Sequence, residues 1–256
     1  MNDWNPEQYL KYKSERTRPS MDLVSRIKIK TPRNIIDIGC GPGNSTQILL
    51  QRWPSAKIVG LDHSEEMIKK ARQDYPRQKW LTADVSLFES DILYCIVFSN
   101  ACLHWVPHHD VVIPRLFEFV RDRGAIAVQV PSNHKSPLHK ALVSVSSDKK
   151  WHRYTKGCER LLHHHPPQYY YELLTPIASS VDLWETIYYH ILPSHEGLIE
   201  WSKGTAMKPY LDRLPDEGKR NRFEREVLAG CKDAYKVQKD GSIIYPFKRL
   251  FFIAYK

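Results

Sequence analysis

Two acids and three glycines near the start of the chain carry its clearest chemistry. Asp37-Ile38-Gly39-Cys40-Gly41-Pro42-Gly43 sets a Gly-x-Gly-x-Gly loop after the apolar run Asn34–Ile38, and Asp62 closes the next apolar run, Lys57–Leu61. Glycines at this spacing let the backbone turn tightly and come close to a ligand, and an acid roughly 20 residues on accepts hydrogen bonds from ribose hydroxyls. The pair therefore points to a nucleoside ligand. A dinucleotide lays its pyrophosphate over Gly-x-Gly-x-x-Gly. This loop has the shorter spacing and is preceded by the carboxylate of Asp37, which repels pyrophosphate and suits an ammonium group. Electrostatics favour S-adenosylmethionine, leaving S-adenosylhomocysteine as product, over a nicotinamide or flavin dinucleotide.

The elements that must hold these groups are legible from the alternation of short apolar runs with helical patterns between about residues 33 and 130. Strands are expected at 34–38, 57–61, 80–81, 92–98 and 125–130, with Gly124 turning the chain into the last of them. Asn44 and Ser64 are expected as helix N-caps, Ser64 ahead of Glu65 and Glu66 at the positive end of its helix. Beyond Pro131 the pattern loosens into helices and loops, with strand character returning at 181–192 and 243–255. This predicts an α/β fold: a Rossmann-like, seven-stranded, mostly parallel sheet with helices on both faces and a helical lid. The expected organisation is one domain over 1–256, with an N-terminal helical segment (1–32), a cofactor-binding half (33–130) and helical cap insertions at 131–180 and 193–240.

Composition narrows the setting. No apolar run among the 256 residues reaches the roughly 18–20 needed to cross a bilayer, and the first dozen residues lack the pattern of a secretory signal, so a cytoplasmic protein that does not engage membranes is expected. Five scattered cysteines without a Cys-x-x-Cys read as reduced thiols. His163-His164-His165 has no acidic or cysteine partner at ligand spacing and reads as a solvated basic turn, so no metal is expected. The net charge of +9 is spread along the chain; it is compatible with small anionic ligands and offers no basic arm for nucleic acid.

The successive segments D-I-G-C-G-P-G, G-L-D-H-S, T-A-D-V at 82–85 and I-V-F-S-N-A at 96–101 resemble the motifs of the seven-strand methyltransferases. By that resemblance Asp37, Gly39, Gly41 and Gly43 hold the methionine portion of the cofactor and Asp62 its ribose. His63 flanks the adenine, Asp84 meets its exocyclic amine, and Asn100 lines the sulfonium end. Outside the sheet, D-W-N-P-x-x-Y-L with E-R-x-R-P at 15–19, A-x-L-x-W at 101–105, Y-Y-H-x-x-P-S-H at 188–195 and F-x-R-L-F at 247–251 are similar to the trans-aconitate 2-methyltransferase family along almost the whole chain. The segment from about Lys135 to Tyr169 departs from it. The resemblance implies methyl transfer to a carboxylate of a small polycarboxylic acid, giving a methyl ester.

Such a carboxylate has a pKa of about 4 and is already ionised at neutral pH, so no general base, metal or covalent cysteine is required. Binding it calls for arginine, which pairs carboxylates bidentately. Arg16 and Arg18 in the E-R-T-R-P segment are the leading candidates, with Arg249 behind them; an exposed arginine on an amphipathic helix is the competing reading of each. His104 and Trp105, just past the fourth strand, are expected at the ligand-binding end, with His104 and Tyr188 as positioning candidates. Tyr188 and His190 share one strand face and Tyr189 the other, with core packing an equal explanation. Trp4, Tyr9, Tyr12 and Trp201 are candidates to close over the cofactor. The alternatives are another small-molecule acid as acceptor, an RNA acceptor, or a cofactor-binding regulator that turns nothing over.

Overall fold

The first strand shows how the site comes to be buried. In β1 (Asn34–Ile38) alternate side chains point to opposite faces of the sheet, so Ile36 and Ile38 enter one apolar layer while Ile35 and Asp37 face the other. Ile36 and Ile38 join a cluster with Val97, Ile126, Val128 and Phe252 and with Val112, Ile113, Leu116 and Phe117 of a covering helix. Each such side chain, fully withdrawn from water, contributes about 1.5–3 kcal/mol. Asp37 has no exposure at all, because its strand is covered on both sides.

The computed structural model describes residues 12–256; Trp4 and Tyr9 lie outside them. In chain order come α1 (Lys13–Arg26), β1, α2 (Asn44–Arg52), β2 (Lys57–Asp62), α3 (Glu65–Asp74), β3 (Lys79–Thr82), β4 (Tyr94–Asn100), a 3-10 turn at Leu103–Trp105, α4 (His109–Glu118) and β5 (Val120–Pro131). The chain continues through α5 (Pro137–Ser147), α6 (Lys149–Thr155), α7 (Pro167–Leu174), β6 (Ser180–Leu192), α8 (Glu196–Lys203), α9 (Lys208–Asp212), α10 (Glu217–Ala229) and β7 (Ile243–Tyr255). The strands form one seven-stranded sheet in the order β3-β2-β1-β4-β5-β7-β6. β1 pairs in parallel with β2 and β4, β2 with β3, and β4 with β5. The chain winds outward from β1 to β3, then restarts at β4 and winds the other way. The carboxyl ends of β1 and β4 therefore flank a topological switch point, where open α/β sheets bind ligands.

Two compact units divide the chain. The larger holds the described chain up to Val130, His165–Thr186 and Leu250–Lys256, and so includes residues of all seven strands. The smaller holds Pro131–His164 and Ile187–Arg249. Within the smaller unit the helices are pinned by polar contacts on apolar packing: Trp151 Nε1 donates to Glu226 Oε2 over 2.7 Å and its ring meets Phe223 edge-on.

Several elements differ from the sequence reading for identifiable reasons. β4 begins at Tyr94, not Ile92, and both Ile92 and Leu93 are more than half exposed. β5 begins at Val120, and Gly124 marks a bulge inside it: Tyr94 pairs with Val120 but Ile96 with Ala125, with Arg123 at φ 59° between them. A Cβ on Gly124 would lie 2.7 Å from the Arg121 carbonyl oxygen, which is why glycine stands there. Ser64 caps α3 as expected, accepting from the Met67 N–H. Asn44 does not cap α2, since Gly43 at φ 94° closes the loop first and takes the N-cap position.

His163-His164-His165 is no solvated turn. In the smaller unit the His164 ring stacks on His134 at 4.8 Å and meets His139 edge-on at 5.9 Å; burial and the neighbouring His134 push it down to about 3, so it is neutral at physiological pH. In the larger unit His165 stacks on Tyr169 at 4.0 Å. A local pattern of three imidazoles predicts solvation; tertiary packing gives the His164 and His165 rings different walls.

Candidate functional site

The site in the larger unit grows from the loop between β1 and α2. Gly39, Gly41 and Gly43 all have positive φ, at 70°, 54° and 94°, a backbone that other residues rarely adopt. A Cβ at Gly39 would overlap the side chain of Cys102, so this glycine lets the segment after β4 seat directly on the loop. A Cβ at Gly41 would meet no atom of the described residues within 4 Å. The first glycine serves packing, and the second faces open space of the kind a ligand fills.

Asp37 sits behind the loop. Its Oδ2 accepts from the Ser45 hydroxyl at 2.7 Å and the Thr46 hydroxyl at 2.6 Å, both from the first turn of α2, while no partner among the described residues meets its Oδ1. Burial lifts its carboxyl to about 6, against the pull of the two hydroxyls and with a small further push from Asp62. A buried acid with one saturated and one open oxygen is a site for a cation or donor. Ser45 and Thr46 escaped the sequence reading; the signal was a hydroxyl pair in the first turn after a glycine loop, where the helix start lies beside the preceding strand.

Asp62, the last residue of β2, ties the loop in place. Its Oδ2 accepts from the Gly41 N–H at 2.8 Å and its Oδ1 from the Ser64 N–H at 2.9 Å. The carboxylate is thereby fixed at the carboxyl end of β2, where open α/β sheets meet a ligand's hydroxyls. His63 beside it is exposed, with Nδ1 3.6 Å from Asp62 Oδ1. Asp84 follows β3 two residues beyond Thr82, and the Ala83 N–H donates to the Asp62 carbonyl, so the two acids end adjacent strands. Asp84 is exposed; bonds from Ser86 hold its carboxyl below the usual range, with a small contribution from His63.

Asn100 ends β4, across the switch point from the loop. It is buried, and no partner among the described residues meets its Oδ1. Arg16, Thr17, Ser20, Gly39, Cys40, Asn44, Ser45 and Asn100 line one cavity. The structure thus brings Arg16, 7% exposed, to the glycine loop and the start of α2. Arg18, two residues on and so on the opposite side of α1, is exposed and does not join it.

The remaining candidates divide between the units. In the larger, His104 is buried at 6% exposure and Trp105 half-buried on the 3-10 turn, their rings 5.1 Å apart. In the smaller, Tyr188 and Arg249 are both buried, the guanidinium 4.7 Å over the Phe247 ring and 6.0 Å from that of Tyr188. The strand alternation holds there: Tyr188 and His190 are buried and Tyr189 is exposed. Trp201 is core, with His190 packed on it at 4.3 Å. All five cysteines are free.

A family model described as a methyltransferase domain matches residues 35–124, the strands and loops that carry Asp37, Asp62, Asp84 and Asn100. Among solved structures the chain is similar to phosphoethanolamine N-methyltransferase 2 of Haemonchus contortus in complex with S-adenosyl-L-methionine. That match has a TM-score of 0.58 at 14% identity and covers 93% of this chain and 52% of that one. Coclaurine N-methyltransferase bound to S-adenosylhomocysteine matches with a TM-score of 0.55 at 11% identity, over 93% and 72% of the two chains. At those identities the likeness is one of fold. Sequence relatives are far nearer. The trans-aconitate 2-methyltransferase of Rhodopseudomonas palustris (strain BisB5) is 38% identical over 100% of both chains, and that of Variovorax paradoxus (strain S110) 38% identical over 100% of this chain and 99% of the other. With identity of that level running end to end, the chain belongs to the trans-aconitate 2-methyltransferase family.

Proposed function

We propose that this protein transfers a methyl group from S-adenosylmethionine to a carboxylate of a small polycarboxylic acid of the trans-aconitate class, forming a methyl ester. The observation that carries the reading is the pairing of Asp37 and Arg16 around one glycine loop: a buried acid with an open oxygen, and a buried cation lining the cavity at the start of α2. Together they fit the zwitterionic head of an amino-acid ligand. The open space at Gly41 and the Asp62 carboxylate at the end of β2 fit the rest of the cofactor. The bound cofactor supplies an electrophilic methyl group on a sulfonium.

The residues of the chain position and screen. Asp37 receives the ammonium group, Gly39, Gly41 and Gly43 accommodate the methionine portion, and Asp62 receives the ribose hydroxyls. His63 and Asp84 take the adenine, and Asn100 faces the sulfonium end. Sequence reasoning assigns Arg16 to a substrate carboxylate; its neighbours Gly39, Asn44 and Ser45 favour the methionine carboxylate instead. Within the larger unit the acceptor then falls to His104 and Trp105, with exposed Arg18 a lesser candidate; Tyr188 and Arg249, in the smaller unit, are a separate candidate pair for an anion. An acceptor carboxylate needs no proton removed, so holding it in line with the methyl group is the main catalytic task. No helix among the described residues is long and apolar enough to cross a membrane. With five free thiols, a small anionic substrate met in the cytoplasm is the setting this reading requires.

The test is a screen of di- and tricarboxylates for S-adenosylhomocysteine release, with mass analysis of the ester. Release with trans-aconitate supports the reading. Heat of binding with NADH and none with S-adenosylmethionine defeats it.

A further inference from the structure

The turn Leu103–Trp105, which carries His104 and Trp105, is held in an unusual way. Ala101 at φ 54° and His108 at φ 57° bracket it, two non-glycine residues in the left-handed region. Such a backbone persists only where its surroundings over-determine it. On one side the support is Cys102 seated against Gly39. On the other it is His109, whose Nε2 lies 2.8 Å from the Leu103 carbonyl oxygen and whose Nδ1 lies 2.9 Å from the Tyr170 hydroxyl.

The bonding roles follow from chemistry. A carbonyl only accepts, so Nε2 carries the hydrogen; Nδ1 is then an acceptor and the Tyr170 hydroxyl donates to it. His109 is 1% exposed and Tyr170 and Leu103 are fully buried. His165 closes one side of the imidazole at 4.9 Å, and Phe252 stacks on the Tyr170 ring at 4.8 Å. A hydroxyl on α7 thus reaches, through one imidazole, the carbonyl of the residue before His104.

We propose that Tyr170 and His109 are positioning residues for methyl transfer: their buried relay fixes the turn so that His104 and Trp105 stand at the carboxyl end of β4 in the orientation the acceptor needs. The inference rests on the proposed acceptor role of those two side chains. Neither Tyr170 nor His109 touches the reacting atoms. The relay acts on the acceptor side of the site and leaves the Asp37–Arg16 end untouched.

Tyr170→Phe in the full chain keeps the ring and its stack on Phe252 and removes only the donor. The expected result is a fall in kcat/KM for trans-aconitate on the order of ten- to a hundredfold, as small misplacements cause. Calorimetric affinity for S-adenosylmethionine should stay unchanged. In a His104→Ala background the further loss from Tyr170→Phe should shrink to the part that acts through Trp105, because Tyr170 and His104 belong to one coupled unit. Equal losses in both backgrounds, or parallel loss of cofactor affinity, overturn the proposal.

Imidazole nitrogen NMR is independent of turnover, and its wild-type reading is independent of the variant's folding as well. His109 should be the Nε2–H tautomer, and in Tyr170→Phe the His104 resonances should move. The opposite tautomer, or a His104 signal indifferent to Tyr170, rejects the relay. Absence of turnover with trans-aconitate in the wild type would refute the substrate reading alone, and the NMR result would still decide the relay.

Discussion

The Thr46 hydroxyl donates to Asp37 Oδ2 across 2.6 Å, from the first turn of the helix that the glycine loop opens. Ser45 adds a second donor to the same oxygen at 2.7 Å. Two donors on one oxygen orient the carboxylate and leave its other oxygen for a ligand, and burial sets its acidity near 6.

That acidity makes the unliganded fold pH-sensitive. Asp37 moves from 3.8 to about 6 on folding, so the native state binds the extra proton between those values. Stability is then fully present below about pH 4 and declines as pH rises through about 6. Asp37→Asn should abolish this decline, giving a gain of about 2–3 kcal/mol at pH 8 that disappears near pH 4. Urea unfolding at both pH values measures it; a gain of the same size at each rejects the assignment.

Cofactor binding should follow the same group in the other direction. An ammonium ligand needs the ionised carboxylate, so affinity for S-adenosylmethionine should weaken as pH falls below about 6. Asp37→Asn should bind poorly at every pH despite its more stable fold. Calorimetry between pH 5 and 8 reads both, and a flat wild-type profile would count against Asp37 as the ammonium site.

Gly41→Ala separates backbone strain from ligand space. The added methyl meets no atom of the described residues within 4 Å, so the fold should lose only the cost of a left-handed alanine, about 1–2 kcal/mol. On the proposed placement of the cofactor the methyl enters the ligand's space, and cofactor affinity should drop far more than stability does. Normal affinity in a folded Gly41→Ala protein would show that the ligand lies elsewhere.

Arg16→Ala should act mainly on the cofactor. Losing a desolvated guanidinium–carboxylate pair costs about 2–5 kcal/mol, here expected in affinity for S-adenosylmethionine, with little change in KM for trans-aconitate at saturating cofactor. A rise confined to that KM would return Arg16 to the acceptor.

Asp62 anchors two backbone N–H groups, Gly41 and Ser64. Asp62→Ala should therefore weaken cofactor binding and also cost about 1–3 kcal/mol of stability through the orphaned donors. Asp62→Asn, which keeps an acceptor oxygen, should recover most of the stability and less of the affinity. Thermal melts beside calorimetry distinguish the two effects.

Much of the frame was readable because local rules and the tertiary fold agree. The apolar run before Asp37, the cap at Ser64 and the acid ending β2 are short-range patterns with one solution in a parallel sheet. Asn44 was misjudged because Gly43, in the left-handed region, takes the cap position one residue earlier. Gly124 was rightly a backbone device but of another kind, a bulge within β5 instead of a turn before it. The histidine tract misled because exposure is not a local property: His164 has the His134 ring, 30 residues earlier, as its neighbour.

Residue type and spacing alone determined that a sheet strand ends in a glycine loop behind an acid, that a second acid follows one strand later, and that the ligand is a cationic nucleoside. Tertiary structure decided which of two arginines two residues apart lines the cavity, which oxygen of Asp37 stays open, and which histidine braces the turn that carries His104. The reason is physical. Backbone periodicity is written in neighbouring residues, whereas burial, orientation and hydrogen-bond partners depend on side chains such as Tyr170 that arrive from distant parts of the chain.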